Sequence, residues 1–308
     1  MSTVLITGGT GLIGRALSKA LLERNHKIII LSRQTVNRQP LTDNISYAQW
    51  NVKDQTIDKE AIASADYIIH LAGAGVADER WTKKRKQEII DSRVKSGELL
   101  VKTLKENINK VRAIISSSGI GWYGPDPVIP NPHPFVEDDP AHDDFLGSTC
   151  SIWEKSLEPA TELGKRLTVF RTGIVLSNDG GAMKEFKKPV RFGVAAILGN
   201  GRQIISWIHI DDLVRLYIAA LENEKIGGVY NAVSPEPVSN KNFTLQLARI
   251  KKGKFFMPVY VPSFVLRLVL GEMSIEVLKS ATISCKKILD TGFTFSFPTI
   301  KKALKSLQ

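Results

Sequence analysis

The chain opens with a short apolar segment that runs into a cluster of glycines. Residues 3–6 are apolar and largely β-branched, four glycines fall within residues 8–14, and residues 14–24 repeat apolar side chains at the spacing of one helix face. Because β-branched apolar runs favour strands and glycines mark tight turns, this pattern predicts a strand, a turn and a helix.

The alternation of strand and helix continues along the chain. Further buried strands are predicted at 27–31, 66–71, 111–115 and 166–171, and helices near 82–106 and 151–164. Strands that alternate with helices are joined by right-handed crossovers into a parallel sheet. The predicted fold is therefore α/β, with a doubly wound parallel sheet of the Rossmann type.

The pattern of apolar and polar residues changes twice after the first strands. Residues 124–144 hold six prolines and no apolar period, which predicts a long surface loop, and residues 175–205 are irregular and are expected to border the substrate. Helical patterns return at 242–250 and 262–280. We expect a nucleotide-binding domain at 1–234 and a smaller, mainly helical, substrate-side domain at 235–308.

The composition is that of an ordinary globular protein. The 308 residues are 43% hydrophobic and 24% charged, and no run is long and apolar enough to span a membrane, so a cytoplasmic protein is expected. Cys150 and Cys285 are expected to be free thiols, and no metal site is expected.

The net charge of +11 is concentrated near the end of the chain. Residues 236–308 contain twelve Lys or Arg against four Asp or Glu. Such a surface could bind nucleic acid, but no nucleic-acid motif accompanies it, and a solvated basic face or one that attracts an anionic small-molecule substrate is favoured. A homodimer is the expected assembly.

The glycine cluster predicts a phosphate-binding turn. In a strand–turn–helix unit, Gly8 makes the turn, Gly11 lets the backbone approach a diphosphate, and Gly14 allows the helix to pack closely. The free N–H groups at the helix N-terminus would bind the anion. The second strand ends at Ser32-Arg33 without a carboxylate, and the Arg33 guanidinium suits a 2′-phosphate, helped by Arg15. These residues predict NADP(H) rather than NAD(H).

Several ordered motifs carry a resemblance to a known family. They are Thr7-Gly8-Gly9-Thr10-Gly11-Leu12-Ile13-Gly14, Leu71-Ala72-Gly73-Ala74, Ser116-Ser117-Ser118 before Tyr123-Gly124, and Trp207-Ile208-His209-Ile210-Asp211-Asp212-Leu213. The chain resembles the extended short-chain dehydrogenases/reductases over nearly its whole length. It is most similar to their "epimerase family protein" subgroup, through Arg80-Trp81-Thr82, Ser92-Arg93-Val94, Gly121-Trp122-Tyr123-Gly124, Cys150-Ser151-Ile152-Trp153-Glu154 and Val269-Leu270-Gly271-Glu272-Met273.

The resemblance implies a set of cofactor contacts. Gly8, Thr10, Gly11, Leu12, Ile13 and Gly14 would hold the diphosphate, and Arg33 the 2′-phosphate. Leu71, Ala72 and Gly73 would line the adenosine side. Ser116, Ser117 and Ser118 would approach the nicotinamide, and the strand end at Arg171 would border it.

The catalytic pair of the wider family is missing. Most of its members use a Tyr whose pKa is lowered by a Lys four residues later, and here Leu146 and Cys150 stand at those positions. Ser118, Tyr123 and Glu154 are the candidate catalytic replacements. For each, a structural interpretation stays open: a Ser that bonds the backbone, a Tyr that packs at a turn, and a solvated helix carboxylate.

Two further arrangements have competing interpretations. Cys150 is either a nucleophile or a small buried apolar residue, and the latter is favoured. His209 and Asp211 would share one face of a strand as a dyad, yet no nucleophile accompanies them, so structural hydrogen bonding is favoured. We therefore expect an NADP(H)-dependent oxidoreductase or epimerase-like enzyme. The alternative is a non-catalytic NADP(H)-binding redox sensor or regulatory protein.

Overall fold

The computed structural model describes residues 1–33 and 44–308. The strands are β1 (Thr3–Thr7), β2 (Lys27–Ser32), β3 (Ile45–Asn51), β4 (Thr56–Ile57), β5 (Tyr67–His70), β6 (Ala113–Gly119), β7 (Arg166–Thr172), β8 (Ile174–Leu176), β9 (Val194–Leu198), β10 (Ile204–Ile205), β11 (Trp207–His209), β12 (Gly228–Ala232), β13 (Val238–Ser239) and β14 (Met257–Val261). The helices are α1 (Leu12–Leu22), α2 (Lys59–Ser64), α3 (Lys83–Glu106), α4 (Phe145–Lys155), α5 (Pro159–Glu162), α6 (Ala182–Arg191), α7 (Ile210–Glu222), α8 (Asn240–Lys252), α9 (Ser263–Leu270), α10 (Ser274–Leu278), α11 (Lys286–Leu289) and α12 (Ile300–Ser306), with 3₁₀ turns at Ile120–Trp122 and Gly271–Met273.

The main sheet has the order β12-β7-β6-β5-β1-β2-β3-β4 within the described residues. Its neighbours pair in parallel except β3 with β4, which are antiparallel. The strand order therefore reverses beside β1: the chain moves outward through β2 and β3 on one side and through β5, β6 and β7 on the other. In such sheets the ligand crevice lies beyond the carboxyl ends of the strands at this reversal.

Helices cover both faces of the sheet. On one face, Leu17 and Leu21 of α1 pack with Leu213 and Leu216 of α7 against the strands. On the other, Leu100 of α3 belongs to a second core cluster with residues of α2 and α5. Because both faces are buried, the strands are continuous apolar runs rather than alternating ones. The predicted doubly wound α/β fold is confirmed.

A third core cluster joins the middle of the chain to its end. Met183 and Val190 of α6 pack with Phe243 and Leu247 of α8 and with Leu304 of α12. Two short parallel pairs, β9 with β14 and β8 with β11, support this region. Residues 175–205 are therefore packed with the C-terminal segment, while the boundary expected at residue 235 stays a prediction.

Two sequence expectations differ from the structure. The helix expected from 151 begins at Phe145, because Asp144 accepts a hydrogen bond from the Gly147 N–H and caps it. The segment 124–144 is irregular but not simply a surface loop. Its Asp126 is buried and accepts hydrogen bonds from Ser280 and Thr282.

Among the residues that the structure describes, no helix is both long and apolar enough to cross a membrane.

Candidate cofactor and active site

The glycine turn after β1 has no room for side chains. Gly8 adopts φ +68°, and a Cβ there would lie 2.9 Å from the Leu71 carbonyl carbon. A Cβ on Gly14 would lie 2.4 Å from the Gly8 carbonyl oxygen and 2.5 Å from the Gly9 Cα. Since such contacts are far inside van der Waals distance, glycine is required at both positions, and the backbone of the turn is left open to a ligand.

The N-terminus of α1 has donors but no capping side chain. Gly11 is the N-cap residue, and the first turn contains no acidic residue. The N–H groups of Leu12, Ile13 and Gly14 open the helix, where backbone donors have no intrahelical acceptor. Donors and the positive end of the helix dipole thus lie at a turn where Gly8, Gly11 and Gly14 carry no side chain, which is an arrangement that binds phosphate.

Two arginines flank this turn. Arg33 directly follows the end of β2 and is exposed. The Arg15 guanidinium on α1 donates from Nη1 to the Thr10 carbonyl oxygen at 2.7 Å, which fixes it against the glycine turn. A dinucleotide with an added 2′-phosphate requires cations at the end of the second strand, and the residues present fit that requirement.

A buried histidine supports the other side of the turn. Thr7 Oγ1 accepts hydrogen bonds from the Leu71 and Ala72 N–H groups, both at 3.1 Å, so its own proton is directed to His70 Nδ1 at 2.8 Å. His70 Nε2 then faces Ser96 Oγ at 3.3 Å. Burial, with a smaller effect of Arg93, lowers the pKa of His70 to about 3. His70 is therefore neutral and links β5 to β1 through its hydrogen bond with Thr7. No pattern in the sequence had indicated this role.

The serines predicted near the nicotinamide lie along β6. Ser116 is buried and in register with His70, and its Oγ donates to the Ser117 carbonyl oxygen. Ser117 Oγ donates to the Ser118 carbonyl oxygen at 3.3 Å. They lie at the carboxyl end of a strand beside β5, and their contact with a cofactor stays a prediction.

The three candidate catalytic residues come together in one buried cluster around Arg171. Ser118 Oγ donates to Glu154 Oε1 at 2.6 Å. Arg171 Nε and Nη2 donate to the two carboxylate oxygens of Glu154 at 2.9 and 3.0 Å. Arg171 Nη1 reaches the Tyr123 hydroxyl at 3.1 Å. We call Ser118, Tyr123, Glu154 and Arg171 the buried carboxylate cluster.

This cluster corrects two interpretations. Glu154 is not a solvated helix carboxylate: it is 7% exposed and bidentately paired. Ser118 bonds a side chain rather than the backbone. Four of the five Arg171 N–H groups are bonded within the protein, one of them to the Glu137 carbonyl oxygen, and the expectation that the strand end at Arg171 borders the nicotinamide stays a prediction.

Tyr123 has a packing role. Its ring stacks on Phe135 with centroids 5.4 Å apart, and its hydroxyl donates to Asn231 Oδ1 at 2.7 Å. Burial raises the pKa of Tyr123 to about 12, although Arg171 opposes the shift. A hydroxyl with this pKa stays protonated at neutral pH, so the structure supports the interpretation of Tyr123 as a packed aromatic residue.

Leu146 and Cys150 face the end of β6 from α4. A Cβ on Gly121 would lie 2.9 Å from the Leu146 Cβ, and Cys150 Sγ lies 3.6 Å from the Gly119 carbonyl oxygen. Burial, and to a smaller extent Glu154, raises the pKa of the Cys150 thiol to about 11. The interpretation of Cys150 as a buried apolar residue is confirmed, since a protonated thiol is a poor nucleophile.

His209 and Asp211 do not share a strand face. His209 ends β11 and caps α7, where its Nδ1 accepts from the Asp211 N–H at 3.2 Å. Its Nε2 lies 3.1 Å from Ser306 Oγ, and its ring stacks on Phe297 with centroids 3.8 Å apart. The expectation of a structural role is confirmed, because these contacts attach the end of the chain to α7.

The sheet and the glycine turn together define a Rossmann-type nucleotide-binding protein. The family model described as "NAD dependent epimerase/dehydratase family" matches residues 4–144 and 182–232, and one described as "Domain of unknown function (DUF1731)" matches residues 261–307. The chain belongs to the NAD dependent epimerase/dehydratase family, as the sequence motifs predicted.

Relatives named only as epimerase family proteins match the whole chain. One from Staphylococcus saprophyticus is 36% identical, over 100% of this chain and 99% of its own length. The epimerase family protein YfhF of Bacillus subtilis is 33% identical, over 99% and 97%. Among solved structures, the human epimerase family protein SDR39U1 (isoform 2), crystallised with NADPH, superposes with a TM-score of 0.86 at 30% identity and covers 99% of this chain and 98% of its own.

Proposed function

We propose that this protein binds NADP(H) at the glycine turn and acts as an oxidoreductase or epimerase-like enzyme on a small, anionic substrate. The observation that carries the proposal is the uncapped N-terminus of α1. It lies inside a turn where Gly8 and Gly14 leave no space for a Cβ. A helix N-terminus built in this way favours a diphosphate.

The preference for the 2′-phosphorylated cofactor rests on Arg33 and Arg15. Both lie beside the turn, and no carboxylate follows β2 at residue 33 to bond a ribose 2′-hydroxyl. The human relative was crystallised with NADPH, which is consistent with this preference. The diphosphate contacts are Gly8, Thr10, Gly11, Leu12, Ile13 and Gly14, and Leu71, Ala72 and Gly73 line the adenosine side.

Titration with both reduced cofactors tests the preference. We expect NADPH to bind at least about tenfold more tightly than NADH, because a guanidinium–phosphate contact is strong. Arg33→Ala should remove most of this difference, whereas Lys27→Ala, which deletes a cation at the opposite end of the same strand, should preserve it. NADH binding about tenfold more tightly than NADPH to the wild type would contradict the proposal.

In the proposed enzyme, Ser118 is the group that reaches the reacting oxygen of the substrate. Its hydroxyl already donates to Glu154 at 2.6 Å, so when a substrate hydroxyl gives its proton to Ser118 Oγ, the serine proton passes to Glu154, and in the reverse direction both protons return. Arg171 holds both carboxylate oxygens of Glu154 by its bidentate contact and so fixes the orientation of this acceptor. NADP(H) would supply hydride chemistry when bound, and Ser116 and Ser117 are the strand-end residues that would lie near its nicotinamide.

The buried carboxylate cluster also favours a second candidate, a non-catalytic NADP(H)-binding sensor or regulatory protein. All three candidate catalytic residues are less than a tenth exposed and bonded to each other or to Arg171. Incubation of the protein and NADPH with aldehydes, ketones, quinones and nucleotide sugars separates the candidates. Consumption of NADPH or conversion of an offered nucleotide sugar supports the enzyme, while tight binding with neither supports the sensor.

A further inference from the structure

Two parallel strands, β9 and β14, begin side by side at the surface, and an exposed phenylalanine precedes each of them. Their register pairs Val194 with Met257, so Phe192 and Phe255 each stand two residues before a paired position. The Met257 N–H donates to the Gly193 carbonyl oxygen at 2.8 Å, which joins the two strand starts. Phe192 is 85% exposed and Phe255 is 87% exposed. Both rings therefore lie in solvent at one end of this two-stranded sheet.

Cations stand beside both rings. Helix α6 ends at Arg191, and the end of α8 with the turn that follows it contributes Lys251, Lys252 and Lys254. All four are exposed, and none of them pairs with a carboxylate in the part of the chain that the structure describes. Burial lowers the pKa of Lys187 on α6, and Lys251 on α8 lowers it further, so the two helices bring their charges close together. We call this group the basic aromatic tip: Arg191, Phe192, Lys251, Lys252, Lys254 and Phe255.

The sequence around the tip contains no acidic residue. Residues 237–271 hold six Lys or Arg and no Asp or Glu, and residues 186–193 have no acid either. A solvated basic face accounts for the lysines, two of which also lie favourably at the C-terminal end of the α8 dipole. It does not account for two phenylalanine rings in water beside them, because clustered exposed apolar side chains mark contacts with other molecules.

The composition of the tip favours one kind of partner. A second copy of the chain is disfavoured, since two tips would bring like charges together. Strand addition to β14 is disfavoured as well, because Pro258 in its middle has no N–H to donate. Met257 and Val259 continue the exposed apolar surface after Phe255. Aliphatic side chains insert among lipids but do not stack on bases, so this surface favours lipid over nucleic acid.

The tip lies at the end of β9 and β14 that is remote from the candidate site. At the other end, a Cβ on Gly199, directly after β9, would lie 2.9 Å from a Leu278 side-chain carbon. The next residue, Lys279, reaches the Tyr123 carbonyl oxygen at 3.3 Å. Because Tyr123 belongs to the buried carboxylate cluster, that end of the two strands borders the candidate site. Binding at the tip is therefore compatible with an open crevice.

We propose that the basic aromatic tip binds the surface of a membrane that contains anionic lipids. Phe192 and Phe255 insert at the boundary between headgroups and acyl chains, and the lysines and Arg191 contact the anionic headgroups. Such a contact needs no spanning helix, because apolar side chains and nearby cations both contribute to binding at the interface. The proposal goes beyond the proposed function and does not depend on it.

Co-sedimentation with vesicles tests the proposal. Vesicles of phosphatidylcholine mixed with phosphatidylserine should bind the wild type, and vesicles of phosphatidylcholine alone should not. The triple variant Lys251→Ala, Lys252→Ala, Lys254→Ala should weaken binding by about a hundredfold, at roughly fivefold for each lysine near an anionic surface. Phe192→Ser with Phe255→Ser should weaken it by about tenfold or more at an unchanged net charge, because it removes the inserted apolar surface.

Matched changes elsewhere on the surface are the controls. The triple variant Lys59→Ala, Lys102→Ala, Lys105→Ala lowers the net charge equally, and Ile108→Ser removes an apolar side chain that is 95% exposed. Both should bind vesicles as the wild type does. Because every substituted side chain is exposed, all variants should keep the wild-type Tm and the wild-type affinity for NADPH.

Four results would overturn the proposal. They are no binding to the anionic vesicles, equal binding to both kinds of vesicle, an equal loss in the two lysine triple variants, and a loss in the tip lysine variant that the phenylalanine variant does not share. Single-stranded poly(U) is the competing probe. Tighter binding to poly(U) than to the anionic vesicles, lost in the same tip variants, would assign the tip to nucleic acid instead.

Discussion

Two arginines at the same edge of the sheet have opposite surroundings. Arg171 is 3% exposed, and Glu154 satisfies it bidentately. Arg93 is partly exposed, has only backbone acceptors among residues 1–33 and 44–308, and lies against the bare Cα of Gly73. The first charge is paired with a carboxylate, whereas the second has no carboxylate within ion-pair distance in the part of the chain that the structure describes.

The contrast extends to the groups around each arginine. Around Arg171, the hydroxyls of Ser118 and Tyr123 complete a closed network. Around the glycine turn, the first N–H groups of α1 are uncapped. A satisfied network contributes to the fold, whereas unsatisfied donors beside an unpaired cation attract an anion. A ligand-binding region is therefore better recognised by backbone donors without an acceptor and cations without a carboxylate partner than by its residue types.

The largest expected effect is on the closed network. Arg171→Met leaves the buried Glu154 carboxylate without a counter-ion and should lower the free energy of unfolding by about 3–5 kcal/mol. Urea denaturation measures the loss. Lys286→Met, which breaks the exposed pair of Lys286 with Asp290, is the control and should give no measurable change. A loss below about 1 kcal/mol in Arg171→Met would show that the cluster is not structural.

The next effect tests the open region. Gly14→Ala should lower the free energy of unfolding by about 1–3 kcal/mol, because its Cβ would lie 2.4 Å from the Gly8 carbonyl oxygen. It should also abolish the increase in Tm that NADPH gives the wild type. Gly119→Ala is the control, since its Cβ would meet nothing closer than 3.8 Å. A Gly14→Ala protein that NADPH still stabilises fully would contradict the described turn.

His70 predicts a pH dependence of stability near the turn. Its pKa is about 3 in the folded protein against 6.5 for the unperturbed group, so only the unfolded chain takes up a proton between these values. The contribution of neutral His70 to the free energy of unfolding is therefore complete above pH 6.5 and decreases as the pH falls toward 3. At pH 5 the loss is about 2 kcal/mol. Urea denaturation at pH 7 and pH 5 should show this extra loss in the wild type and not in His70→Gln. Equal losses in both proteins would contradict it.

The smallest expected effect on stability is that of Ser118→Ala, which also tests whether Ser118 takes part in cofactor binding. Ser118→Ala removes one hydrogen bond to Glu154 and should cost about 1 kcal/mol of unfolding free energy. Its affinity for NADPH should stay within about twofold of that of the wild type, because the Ser118 hydroxyl is already donated to Glu154. A tenfold weaker NADPH affinity would show that the two regions are coupled. If Ser118 reaches the substrate, the same variant loses turnover.

The first strand, the glycine turn and the helix that follows were predictable because periodicity and glycine spacing are local signals. The start of α4 was missed by six residues, since its cap, Asp144, lies at the end of a proline-rich segment without an apolar period. The burial of Asp126 was also missed, because its partners, Ser280 and Thr282, lie more than 150 residues away.

The candidate site was predictable in part. The residue types of Ser118, Tyr123 and Glu154 drew attention to them, and the structure brings them together. The pairing of Glu154 and Tyr123 with Arg171 could not be read from the sequence, because these residues lie far apart along the chain. Arg93 lies in the Ser92-Arg93-Val94 motif. Whether a carboxylate lies near it depends on residues distant in the sequence, so the motif alone could not show that it has none among the described residues.

Hydrogen–deuterium exchange of the wild type with and without saturating NADPH shows whether the dinucleotide binds at the glycine turn and leaves the buried carboxylate cluster unchanged. We expect slower exchange at residues 8–15 and 71–75, where the dinucleotide would cover the glycine turn and the segment after β5, and unchanged exchange in β7 around Arg171. No protection at residues 8–15, or protection of β7 equal to that of residues 8–15, would contradict binding at the glycine turn.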